Sequence, residues 1–196
     1  MTARTYSTRP MSTQAPPSSS LKLKYVAPNA VTVSSMVVGL ASIAASIDGR
    51  PVDAAWLILL CVLLDKLDGS VARLLNASSR FGVELDSFSD FLTFGMAPAF
   101  LVYSLMTGDA RYSGLYDGGL AWATFALPAM LVVCAGLRLA KFNVLTEAIG
   151  SKIFLGVPTT LVGGLIASFY LTAWSYDFPV EVVGYFPFTL ALFGLW

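Results

Sequence analysis

The sequence predicts an all-α integral membrane protein with six transmembrane helices and a cytosolic N-terminus. Three observations carry that prediction. Of 196 residues, 56% are hydrophobic and only 12% are charged, whereas a soluble domain carries about 25% charged residues. The apolar residues gather in long runs divided by short polar connections. The cationic residues fall almost entirely on alternate connections.

The elements follow in order. Residues 1–20 are rich in Ser, Thr and Pro and read as a disordered cytosolic tail. Residues 21–28 alternate apolar positions with Lys22 and Lys24. They read as a juxtamembrane segment on an anionic membrane surface, or as a plain basic linker. The membrane domain occupies residues 29–196. Its apolar stretches span about 29–47, 52–75, 83–106, 120–142 and 155–174, and a sixth runs from about 180 to Trp196. A bilayer core needs about 20 helical residues, so the first five suffice. The sixth stops inside an apolar run, so a truncated chain or an incomplete last helix is expected. Cleavage of the first stretch as a signal peptide is not expected, because a second apolar stretch follows at once. No long internal repeat and no second, soluble domain is read.

Only two of the twelve cations, Arg50 and Arg111, lie on the far side of the alternating connections. The positive-inside rule then puts the N-terminus in the cytosol, and six spans return the C-terminus there. Twelve acids balance the twelve cations, and there is no histidine. So few charges exclude a disordered or nucleic-acid-binding chain. The missing histidine excludes Ser-His-Asp and Cys-His catalysis, histidine zinc sites and histidine pH switches. Cys61 and Cys134 sit in apolar runs and read as small packing residues, not as a disulfide.

Six acids, Asp48, Asp53, Asp109, Asp117, Asp177 and Glu181, lie at or near the outer ends of spans. Asp65, Asp68, Asp86 and Asp90 do not: they fall within, or at the cytosolic ends of, the second and third stretches. A charge at bilayer depth costs about 2.5–3.5 kcal/mol. Asp65 and Asp68 are i,i+3, and Asp86 and Asp90 are i,i+4, so each pair shares a helical face. Gly69 and Ala72 join the first face, and Gly82 and Thr93 the second. Small residues there let a ligand or a backbone approach closely. Two carboxylates ~4 Å apart repel by about 4 kcal/mol at an effective dielectric of 20. Divalent cations relieve that repulsion, and an all-oxygen donor set favours Mg²⁺ or Mn²⁺, two ions for four acids. The alternatives are pairing with Lys66, Arg73 or Arg138, or a proton or cation path across the bilayer.

The spacing reads Asp65-x-x-Asp68-Gly69-x-x-Ala72-Arg73, eight residues, then Gly82-x-x-x-Asp86-x-x-x-Asp90. It resembles the signature of the CDP-alcohol phosphotransferases at every fixed position. That resemblance implies six membrane helices, usually dimeric, and a cytosolic-side site where a CDP-linked lipid loses CMP to an alcohol. It implies that Asp65, Asp68 and Asp86 bind one or both metals. Asp90 would bind the second metal and act as base on the attacking hydroxyl. Gly69, Ala72 and Gly82 would make room for the nucleotide, and Arg73 would orient phosphates or acids. Pro28-Asn29-x-x-Thr32 also resembles a family feature, placing Asn29 and Thr32 near the diphosphate, although both types are ordinary capping residues.

Ser78 to Ser87 and Thr93 to Ala99 resemble the phosphatidylserine synthase branch of that family. So do Arg138-Leu-Ala-Lys141-Phe-Asn143, with Lys141 where Arg is usual, and Phe154-Leu-Gly-Val157-Pro158, with Val157 for Leu. Lys at 141 loses a planar bidentate fork. The branch implies transfer of the phosphatidyl group from CDP-diacylglycerol to L-serine in a cell membrane. Serine's carboxylate needs a cation, and Arg138 is the candidate, with Asn143 and Ser79 as further pocket candidates. Otherwise Arg138 snorkels or pairs with Glu84. The rival readings are an enzyme of the same family using glycerol 3-phosphate, inositol phosphate or choline, and a cation transporter.

Overall fold

The computed structural model describes residues 19–75, 79–108, 118–149, 158–179, 182–183 and 186. The described elements are helical. Helix α1 (Ser19–Ile47) and helix α2 (Pro51–Leu74) form a hairpin. A stripe of small residues on α1, namely Ser35, Gly39, Ser42 and Ser46, is buried. Their spacing keeps them on one face, and their size lets neighbouring backbones come close. Ser42 Oγ donates to the Ala54 carbonyl at 2.9 Å, and Cys61 Sγ to the Ser35 carbonyl at 3.6 Å. The hairpin turn closes at Gly49, which takes φ +70°. Arg50 N then reaches the Ala45 carbonyl at 2.8 Å, as in a Schellman close. Pro51 opens α2 at a position where no helical N–H is needed.

Helix α3 (Arg80–Asp90) is capped by Ser79, whose Oγ accepts from Gly82 N at 2.9 Å. A π turn (Phe91–Met96) follows and leads without a break into α4 (Ala97–Gly108). In that turn Ala97 N bonds back five residues to the Leu92 carbonyl. The widening directly precedes Pro98, whose ring would clash with the Phe94 carbonyl in a regular α-helix. A single 3₁₀ turn (Gly118–Leu120) leads to α5 (Ala123–Ile149), and α6 (Thr159–Ser175) follows.

Among the described residues, three segments are long and apolar enough to cross a bilayer: Val26–Ile47, Arg80–Gly108 and Ala123–Leu145. The sequence predicts six. Helix α2 falls outside the three because Asp65, Lys66 and Asp68 interrupt its second half, and α6 because it has only 17 residues. Several expected boundaries move. Residues 21–28 continue the helix of α1. The third stretch starts at Arg80, three residues early. Residues 143–149, read as a connection, are the last turns of α5, since no Gly or Pro intervenes before Gly150. Residues 1–18 of the predicted tail lie outside the described residues, as does the sixth stretch apart from positions 182, 183 and 186.

The apolar core gathers Ala54, Ala55 and Ile58 of α2, Leu101 and Val102 of α4, and Ala167 and Tyr170 of α6. On α2 this is the half near Pro51, and Asp65 and Asp68 lie toward Leu74. The bundle therefore has an apolar end and a polar end. The polar end receives the first half of α1, the second half of α2, the whole of α3, the second half of α5 and the start of α6.

Candidate active site

Two helices bring the acids together. Carboxylate oxygens of Asp65, Asp68 and Asp86 lie within 4.8 Å of one another. The Asp90 side chain lies within hydrogen-bonding reach of Asp65. The four acids singled out in the sequence therefore converge. Asp68 is buried, Asp65 and Asp90 are half-buried, and Asp86 is open to the surface.

Neighbouring helices hold this cluster. Thr32 Oγ1 of α1 lies 3.2 Å from Asp68 Oδ2. Thr160 Oγ1 of α6 lies 3.4 Å from Asp65 Oδ2. Asp90 is fixed through the π turn that follows it. A Cβ on Gly39 would lie 2.7 Å from Thr93 Cγ2, and one on Gly163 would lie 3.2 Å from Phe94 Cα. Two glycines thus let α1 and α6 close on the turn that carries Asp90.

Cations do not neutralise the cluster among the described residues. The ion pairs there are those of Arg50 with Asp48 and Asp53, at 3.5 and 3.3 Å, in the exposed turn at the opposite end. Lys66 and Arg73 are exposed, and the Arg73 guanidinium donates to Ser70 Oγ at 3.4 Å. Arg138 makes no ion pair among the described residues, with Glu84 or any other acid. The reading in which basic side chains pair with these acids finds no such pair among those residues.

Asp68 and Asp86 form one wall of a cleft of about 110 Å³. Asn29, Thr32, Gly69, Ala72 and Gly82 line it, so five residues assigned to nucleotide binding from the sequence share one space. A Cβ on Gly82 would stand 3.2 Å from Asn29 Oδ1 and 3.1 Å from Ser79 Oγ. At Gly69 the nearest atoms would be the Arg73 guanidinium nitrogens at 4.0 Å, so that face is open. Arg73 itself is not among the residues that line the cleft, although its guanidinium lies near Gly69, which does.

The three residues expected around serine do not share one cavity. Ser79 caps α3 and lines the acidic cleft. Asn143 Nδ2 donates to Ser87 Oγ at 3.2 Å, tying α5 to α3. Arg138 lines a smaller cavity of about 40 Å³ with Phe94, Gly95, Cys134 and Thr159. Periodicity on one helix cannot say which residues of different helices face one space. Thr160 was missed altogether. Its only local signal is its place two residues after Pro158, at a helix start.

The donor set suits a hard divalent cation. Carboxylate oxygens from two helices converge, no histidine or thiolate joins them, and one carboxylate faces the open cleft.

Comparison with known proteins agrees with this geometry. Residues 25–195 match the family model for CDP-alcohol phosphatidyltransferases. The CDP-diacylglycerol–serine O-phosphatidyltransferase of Helicobacter pylori is 35% identical over 154 residues, covering 79% of this chain and 61% of that protein. The archaetidylserine synthase of Methanothermobacter thermautotrophicus is 44% identical over 138 residues, covering 69% and 54%. The Bacillus subtilis CDP-diacylglycerol–serine O-phosphatidyltransferase is 36% identical over 136 residues, covering 69% and 70%. The chain thus spans about three fifths of the Helicobacter relative's length. The family match takes in the acidic cluster, the glycine-lined cleft and every described helix that holds them: the chain belongs to the CDP-alcohol phosphatidyltransferase family.

Proposed function

We propose that the protein transfers the phosphatidyl group of CDP-diacylglycerol to the hydroxyl of L-serine, giving phosphatidylserine and CMP. The observation that carries this reading is the convergence of four aspartates beside a cleft lined by Gly69, Ala72 and Gly82. The names of the three relatives support serine as the acceptor.

Each residue has a role in this reading. The cleft takes the cytidine nucleotide, where small side chains leave room and Asn29 and Thr32 lie toward the diphosphate. Asp65, Asp68, Asp86 and Asp90 would hold two divalent ions, Mg²⁺ or Mn²⁺. Such ions, when bound, screen the diphosphate charge and stabilise the departing CMP. Asp90 takes the proton of the serine hydroxyl as its oxygen bonds to phosphorus and the bond to CMP breaks. Arg73, at the cleft mouth, orients the phosphates. Arg138 receives the serine carboxylate from the other side of the π turn, where its cavity reaches Phe94, four residues after Asp90. The polar end faces the cytosol, the N-terminus lies there too, and six helices cross the cell membrane in each subunit of a homodimer.

Purified protein offered CDP-diacylglycerol with serine, glycerol 3-phosphate, inositol, inositol phosphate and choline in turn should release CMP with serine. Release with another acceptor alone would overturn the serine assignment, and release with none would overturn the enzymatic reading. Arg138→Ala should raise the serine KM by about tenfold or more, the worth of one charge-assisted contact. The CDP-lipid KM should stay nearly constant. An unchanged serine KM would remove Arg138 from the acceptor pocket.

A further inference from the structure

We propose that Thr32 and Thr160 are positioning residues for the metal-binding carboxylates, two hydroxyls that clamp the Asp65/Asp68 pair from the two helices flanking α2. The inference rests on the metal reading above and goes beyond it. Thr32 comes from α1 and Thr160 from α6, and the second contact joins residues 95 positions apart. In both cases the threonine meets one carboxylate oxygen, Oδ2. Hydrogen bonds of this kind fix ligand orientation at metal sites and typically carry a 10–100-fold effect on affinity.

Each hydroxyl has one proton, and local chemistry decides where it goes. Thr32 is buried, and its Oγ1 lies 3.2 Å from both the Pro28 carbonyl and Asp68 Oδ2. A carboxylate is the stronger acceptor, so the proton goes to Asp68. Thr160 sits in the first turn of α6, and among the described residues its hydroxyl bonds to Asp65 Oδ2. Both residues are β-branched, so χ1 is stiff and the hydroxyl direction is well defined. Gly163 is one turn from Thr160, and its backbone packs onto the π turn beyond Asp90. One face of α6 therefore sets Asp65 directly and Asp90 through that turn.

The test is Mn²⁺ binding, measured by electron paramagnetic resonance on the full chain in lipid nanodiscs. Thr160→Val and Thr32→Val keep the shape and remove the donor. Each should raise the Mn²⁺ Kd roughly tenfold, and the double variant more. Thr160→Ser keeps the donor and should stay within about threefold of wild type. Saturating Mn²⁺ should restore turnover in Thr160→Val, which has no place in the nucleotide cleft, and damage to the fold alone would not allow that. Should a valine variant lose its helical circular dichroism, Thr160→Ala and Thr32→Ala carry the same expectation. Folded variants with a wild-type Mn²⁺ Kd would overturn the inference and leave the metal reading intact. A wild-type protein that binds no Mn²⁺, or binds it equally well as Asp65→Asn, would overturn both.

Discussion

Asp90→Asn is expected to lower CMP release by roughly 10²–10⁴-fold, the usual worth of a positioned general base. Binding of a CDP nucleotide should persist. The asparagine keeps the size of the side chain and loses both its ability to take a proton and its negative charge toward a metal ion. Asp90 does not line the nucleotide cleft, whereas Asp68 and Asp86 do. The other acids also have competing tasks. Thr160 engages Asp65, Thr32 engages Asp68, and Asp86 opens onto the cleft. The chain has no histidine to substitute as a base. Asp90 is half-buried, and the π turn behind it is clamped where Gly39 and Gly163 admit α1 and α6. A base held in that way loses little to reorganisation. Single-turnover CMP release with equilibrium dialysis of CDP would check both halves. Normal turnover in the variant would take the base role from Asp90, and loss of CDP binding would show that the residue serves the cleft instead.

The sequence revealed local relations best. Asp65 and Asp68, or Asp86 and Asp90, share a face because of helical periodicity, and the small residues beside them follow from the same arithmetic. The polar end of the bundle was visible as well, since acids placed within apolar runs must face an interior, water or a cation. Relations between helices were not visible in this way. Thr160 meets Asp65 across 95 positions, and no pattern near either residue announces it. Nor could periodicity relate Ser79, Arg138 and Asn143 to one another, since each sits on a different element with its own phase. Pro98 did carry a signal for the π turn, because a proline inside a helical run must be accommodated somehow. The packing face of α1 was not visible either: Ser35, Ser42 and Ser46 lie within an apolar stretch, and they are buried on the side where α1 packs closely.

Stripping divalent cations is expected to abolish turnover, and Mg²⁺ or Mn²⁺ to restore it. The argument is electrostatic. Three carboxylates place oxygens within 4.8 Å of one another, and a fourth, Asp90, lies within reach of Asp65. Each adjacent pair of charges costs about 4 kcal/mol at ~4 Å in an effective dielectric of 20. Among the described residues no lysine or arginine pairs with them, and the Arg50 ion pairs sit at the far end of the bundle. A bound cation removes this repulsion only in the folded state, because the unfolded chain does not bring Asp65 and Asp86 together. Cation binding must therefore raise thermal stability as well as activity. At a hundred times Kd the gain is about 2.7 kcal/mol. Melting of the nanodisc-embedded protein should shift upward with Mn²⁺, and Asp68→Asn should abolish the shift. A proton path or a shared-proton cluster would show neither dependence. Full activity after exhaustive chelation, or a melting temperature indifferent to Mn²⁺, would overturn the metal reading.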